Sequence, residues 1–300
     1  MKTLFIGHGY TDVTFITDYI PTGDEKYLGK DYAFGVGGNA IVAGFTLAKL
    51  GKNKGIGADM ILPVAEDWLS KIILQKAAKA GISVYSRSVG RSSLSLILPN
   101  DEKRAIVRCR DTDYLETFPK LDISDYKAIH LDGHQPEAAL HYAKLARKKG
   151  ILTSLDGGSY EREGVDELLN YIDAPIVSER FCEQLGKSSE DTIEFLLAKG
   201  AKVAAVTLGT DGLIYQEDGG SLQSIPSITV DHDKVIDSTG AGDIFHGAYL
   251  YSWLSKPEYN WEQHFMFARA ASALSVQKLG AEASIPTCKE ILDLMEKNPA

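Results

Sequence analysis

Cysteine is scarce: Cys109, Cys182 and Cys288 stand far apart in 300 residues, with no Cys-x-x-Cys pair among them. That spacing offers neither a metal cage nor a disulfide framework and predicts reduced thiols. Basic residues are short too, 32 Lys and Arg against 41 Asp and Glu for a net charge of −9. This argues against a nucleic-acid surface, which needs basic patches, although a nest of amides binds a small anion whatever the net charge. No apolar run reaches the roughly 18 residues of a membrane span, and Leu4-Phe5-Ile6, cut off by Gly7, is too short for a signal peptide. A soluble, cytoplasmic protein without membrane or nucleic-acid partners is expected.

Two nucleotide fingerprints are incomplete. Gly35-Val36-Gly37-Gly38-Asn39 opens an apolar stretch from Ala40 to Leu50, but Ala40 stands where a Gly-x-Gly-x-x-Gly dinucleotide motif needs glycine. Gly186-Lys187-Ser188 is half of a P-loop, and Phe181 replaces its first glycine. A Rossmann dehydrogenase and a P-loop enzyme are both disfavoured.

What is present is ample core, 44% hydrophobic residues, and a change of pattern along the chain. From Tyr126, short apolar runs (128–131, 151–155, 176–177, 203–208) alternate with helical stretches (137–149, 161–171, 265–279), which predicts a parallel sheet with helices on both faces. Asp132-Gly133-His134 and Asp156-Gly157-Gly158 each follow such a run and are expected at the carboxyl-edge crevice. Residues 13–33 and the runs 82–89, 93–98 and 103–109 read as exposed strands, the last two joined by a turn at Pro99-Asn-Asp-Glu102. Pro63 to Ala80 reads as an amphipathic helix with Trp68, Ile72, Ile73 and Ala77 on or near its core side.

The chemistry concentrates in Asp237-Ser238-Thr239-Gly240-Ala241-Gly242-Asp243, just before an apolar helix. A helix start has amides without intrahelical partners and a partial positive charge, and three small residues let an anion approach them. Asp243 is then either a dipole-favoured acid in the first turn or a general base beside a bound phosphoryl group. Asn39 has a similar pair of readings, as a helix cap or as a ligand contact beside Gly37 and Gly38.

The string from Asp237 to Asp243 resembles the C-terminal signature of the ribokinase-like (PfkB) carbohydrate kinases. Gly37-Gly38-Asn39-Ala40 with the following Ala-Gly-x-x-Leu-Ala-x-Leu-Gly resembles their N-terminal signature. Ile129-His-Leu-Asp-Gly133 and Lys103-Arg-Ala-Ile-Val107 point within the family toward ketohexokinase and sulfofructose-kinase-like members. The resemblance implies one ribokinase-like domain over 1–300: an α/β three-layer αβα sandwich around a mostly parallel sheet. A small β-sheet lid would come from about 13–34 and 86–112. It implies an ATP-dependent kinase acting on a primary hydroxyl of a ketose-like sugar, with Asp243 as base, the Gly240, Ala241 and Gly242 amides as anion hole, and Arg104 on the transferred phosphate. Asp12, Gly37, Gly38, Asn39 and Asp243 would bind the sugar, and Thr207, Gly209 and Gly212 would lie along ATP with Gly240 and Gly242. Mg²⁺ is expected, with K⁺ near Asp237, Thr239, Gly280 and Ser284, and a homodimer through the lid. Two departures stand out. Val42 replaces a second Asn common in ketohexokinases, and Ser178 and Phe181 replace the Asn and Glu of the family's Asn-x-x-Glu, leaving the Mg²⁺ ligands unassigned. A ribokinase, a nucleoside kinase and a non-catalytic sugar or nucleotide sensor on the same fold are the alternatives.

Overall fold

Hydrophobic alternation splits the chain into two sheets. The computed structural model describes residues 1–298 apart from Glu25, Asp101 and Glu102, and for Asn100, Lys103 and Arg104 the backbone alone. The strands are β1 (Lys2–Ile6), β2 (Tyr10–Ile16), β3 (Asp31–Gly37), β4 (Gly57–Val64), β5 (Ser83–Ser88), β6 (Leu94–Asn100), β7 (Lys103–Cys109), β8 (Tyr126–Leu131), β9 (Leu152–Gly157), β10 (Ala174–Ser178), β11 (Val203–Thr207), β12 (Leu213–Glu217) and β13 (Gln223–Ile225). The helices are α1 (Asn39–Gly51), α2 (Trp68–Lys79), α3 (Pro136–Lys149), α4 (Val165–Leu169), α5 (Glu179–Leu185), α6 (Ser189–Ala198), α7 (Ala241–Ser255), α8 (Trp261–Ser275), α9 (Ala281–Ser284) and α10 (Cys288–Lys297).

The larger sheet has the order β13-β12-β11-β10-β9-β8-β1-β4-β5, parallel from β11 to β5 and antiparallel at β12 and β13. Because successive strand residues face opposite ways, Phe5 packs into one core with α1, α7 and α8, while its neighbours Leu4 and Ile6 pack into the other with α3, α4 and α6. Three layers follow from that alternation. The smaller sheet has the order β3-β2-β6-β7. Its outward face leaves Phe15, Tyr32, Phe34, Leu96 and Val107 exposed.

Several expectations change. The run 82–89, expected in the lid, forms β5 at the edge of the large sheet beside β4. Residues 63–64 end β4, so the helix expected from Pro63 starts at Trp68, whose side chain is 77% exposed rather than in the core. The strand before Asn39, β3, belongs to the small sheet and pairs antiparallel with β2, so no dinucleotide βαβ unit results. The turn residues Asp101 and Glu102 lie outside the described residues.

Helix starts divide into two kinds. Asp67, Ser188, Asn260 and Thr287 cap α2, α6, α8 and α10 with side-chain oxygens. Helices α1 and α7, like α3, α4 and α9, have no side-chain cap, and they start after Gly38 (φ 102°) and Gly240 (φ 82°). They forgo the roughly 1 kcal/mol that a capping oxygen supplies, and keep their first amides for another acceptor. The two helices lie side by side: Gly240 faces Val42, and the bare Cα of Gly247 sits against the Ala43 carbonyl and Thr46. The contacts run in step along both chains, so the helices are parallel and both starts open at the same end.

Candidate active site

The carboxyl ends of β8 and β9 supply two buried acids beneath those helix starts. Asp132, fully buried, accepts hydrogen bonds from the His8 amide (2.9 Å), the His134 amide (2.9 Å) and, more weakly, the Ala40 amide (3.4 Å). Burial opposes its charge, but the His134 ring, the Arg162 guanidinium and the His134 amide outweigh it and hold the carboxyl below the usual range. Gly7 is required here, because a Cβ would overlap that carboxylate. Asp156 takes the side-chain amide of Asn39 at 2.7 Å and lies 3.7 Å from His246 Nε2. Asn39 therefore does not cap α1; Gly38 holds the cap position and the Asn39 side chain ties the helix start to β9. His246 is one helical turn beyond Asp243, so Asn39, Asp156 and Asp243 belong to one corner of the cleft. Below them His130, Ser154 and the Tyr249 hydroxyl form a buried polar chain, with burial driving the His130 pKa down to about 3.

Asp12 enters from the small sheet. Its carboxylate lies over Gly37, where any Cβ would overlap it, and burial pushes its pKa up to about 6, with Asp237 adding to the rise and Ser95 and Arg108 opposing it. One Asp12 oxygen is buried without a hydrogen-bond partner. A cavity of about 160 Å³ lies between the small sheet and the start of α9, lined by Asp12, Thr14, Gly35, Lys76, Gly280 and Glu282 among others.

At the start of α7, Gly242 is exposed with open space where a Cβ would be, and Gly240, Ala241 and Asp243 are part-exposed. A Cβ on Gly240 would come within 2.6 Å of the Ala281 methyl, so this turn seats against α9. Asp237 joins the two segments by accepting from the Thr239 amide (2.9 Å) and the Gly280 amide (3.0 Å). Thr239 Oγ1 is buried without a partner, and the Ser284 hydroxyl donates to the Ala281 carbonyl.

The remaining expected positions are spread around this end of the sheet. Gly209 (φ 55°) and Gly212 (φ 98°) flank a tight turn after β11, and Thr207 donates to the Val177 carbonyl at 3.3 Å. Arg104 pairs with Pro99 on β7, but its side chain lies outside the described residues. Ser178 caps α5, and Phe181, an apolar side chain with no ligand atom, is wholly buried. Among the described residues no group of three His, Cys, Asp or Glu side chains is arranged for a metal, and no helix is long and apolar enough to cross a membrane.

Residues 2–288 match the pfkB family carbohydrate kinase. The chain belongs to the pfkB family of carbohydrate kinases. It is thus a sugar kinase, a phosphotransferase with an alcohol group as acceptor. A ribokinase of Lactococcus lactis is 26% identical over 299 residues, covering 97% of this chain and 95% of that one. An ATP-dependent ribose-1-phosphate kinase of Halopiger xanaduensis is 25% identical, covering 97% of each. The fold matches the Arabidopsis thaliana ribokinase complexed with ribose and ATP at a TM-score of 0.82 and 23% identity over 98% of both chains. These pfkB relatives carry ribose-kinase names, not the ketohexokinase name toward which 103–107 and 129–133 point.

The sequence reading missed two relationships. The Asn39–Asp156 bond spans 117 residues, and no local pattern announces it. Arg108 on β7 and Arg110 just past it, by contrast, share the parity of Arg104, and that alternation was there to be read.

Proposed function

We propose that the protein transfers the γ-phosphoryl group of ATP to a primary hydroxyl of a sugar. The observation that carries this is the uncapped, open start of α7, where an anion can meet backbone amides with a carboxylate two residues into the helix. Asp243 takes the proton of the attacking hydroxyl. The Gly240, Ala241 and Gly242 amides stabilise charge on the transferring oxygens, assisted by Arg104. Asp12, Gly37, Gly38 and Asn39 hold the sugar, and the turn from Thr207 to Gly212 lies along ATP with Gly240 and Gly242. The names of the relatives favour a ribose-like acceptor over a ketose.

Mg²⁺, when bound with ATP, would neutralise charge on the phosphates. The unpartnered Thr239 hydroxyl beside Asp237, with Gly280 and Ser284 on the facing segment, suits a monovalent cation such as K⁺. The chain acts as one domain, the small sheet serving as lid and its exposed apolar face pairing with a second copy. A cytoplasmic setting suits a reduced-thiol enzyme that consumes ATP. The test is ADP release with ATP and a panel of pentoses, ketoses and nucleosides, using Asp243→Asn as the blank; no sugar-dependent ADP with any acceptor would overturn the reading.

A further inference from the structure

Arg108 on the small sheet and Arg110 just beyond it are both exposed, and the carboxylate that Arg108 acts on is that of Asp12. Asp12 pairs with Ser95 across β2 and β6, and Ser95 pairs with Arg108 across β6 and β7. Directly paired residues project from the same face, so Asp12 and Arg108 share the inward one, about 10 Å apart across two strand spacings. Arg108 is exposed and lies 5.0 Å above the buried ring of Tyr10, which is two residues before Asp12 and on the same side of β2. Arg110, one alternation further and past the end of β7, is exposed, and its charge also acts on Tyr10. Among the described residues neither arginine forms a salt bridge. The other nearby acids are committed elsewhere: Asp132 accepts the amides of His8 and His134, Asp156 takes Asn39, and Asp111 accepts the amides of Arg91 and Asp113. The positive field of the pair reaches inward, where both arginines act on the buried His8, whose Nδ1 has no hydrogen-bond partner.

We infer that the acceptor is an anionic sugar, one that already carries a phosphate or comparable group, with Asp12 on its hydroxyls and Arg108 and Arg110 on that group. This rests on the kinase reading above and refines it. A sugar ring with one phosphate spans about the distance between the two sites, and two guanidiniums suit a tetrahedral anion. A neutral sugar would bring neither guanidinium a negative charge of its own, leaving Asp12 as the acid that Arg108 acts on.

The test compares D-ribose and D-fructose with ribose 1-phosphate, fructose 1-phosphate and fructose 6-phosphate, each of which keeps a primary hydroxyl. ADP release and thermal stabilisation without ATP are both measured. The expected result is that at least one phosphorylated sugar has the highest kcat/KM and stabilises the protein. Arg108→Gln should then lower kcat/KM for that sugar roughly 10- to 100-fold, mainly through KM, as expected for losing a hydrogen bond to a charged group. Neutral sugars should lose much less. An equal loss for neutral and phosphorylated sugars would assign the arginines to ATP or to structure and overturn the inference. So would turnover of neutral sugars alone, which leaves the kinase reading intact. If nothing turns over, the kinase reading fails by itself, and the thermal shift decides the anion site: no Arg108-dependent stabilisation by any sugar phosphate rejects it.

Discussion

Asn39 reaches from the first turn of α1 to the end of β9, where its side-chain nitrogen meets Asp156 Oδ2 at 2.7 Å. The bond leaves the other Asn39 atom, the amide oxygen, directed by a rigid partner. Asp156→Asn should disturb that orientation and also remove the charge facing His246. We expect a roughly tenfold or larger rise in the sugar KM with a smaller change in kcat, measured by steady-state ADP release. Unchanged KM would show that Asn39 needs no such support.

Asp243→Asn keeps the shape of the first turn of α7 and removes the carboxylate proposed as proton acceptor. Turnover should fall by about 10² to 10⁴ while ATP binding, followed by calorimetry, stays near wild type. Wild-type-like turnover would refute the base assignment.

Gly37→Ala introduces a methyl into the space occupied by the Asp12 carboxylate. The carboxylate must shift or the strand must bend, at a cost of about 1–3 kcal/mol. A lower Tm together with a raised sugar KM is expected; a fall in Tm alone would separate Asp12 from acceptor binding.

Asp12 also sets a pH dependence. Its folded pKa, about 6, lies above the ordinary 3.8, so the folded protein binds this proton more tightly than the unfolded chain does. The associated stability is present in full below about pH 3.8 and is lost as pH rises through 6. Activity runs the other way if the ionised carboxylate holds sugar hydroxyls: kcat/KM should rise through an apparent pKa near 6 that Asp12→Asn abolishes. A pH profile identical in the variant would remove Asp12 from the acceptor site.

The outward face of the small sheet, with Tyr32 at 67% and Val107 at 62% exposure, is the predicted dimer contact. Val107→Glu should convert the protein to monomer in sedimentation experiments, and a dimer that survives it would place the contact elsewhere.

Much of this architecture is legible in one dimension because it rests on local pattern. Val203 to Leu208 is uninterrupted and apolar because β11 is covered on both faces, and the alternation after Tyr126 produces the parallel sheet. Glycines beside the helix starts mark both cleft-facing junctions. Reading failed where position in space decides. The run 82–89 has the same character whether it joins the small sheet or edges the large one, and only its pairing with β4 settles the matter. Trp68 looks like core by spacing, yet it begins α2 at the surface and instead lies under the Lys71 ammonium. The Asn39–Asp156 bond needs both sheet order and helix placement before it can be anticipated.

The seam between α1 and α7 closes to backbone contact at Gly247, one turn beyond Asp243. Because the two helix starts are rulers laid edge to edge, a methyl inserted there would slide one along the other. If the two helix starts hold sugar and ATP as proposed, the spacing between those ligands is written into a spot that neither one touches.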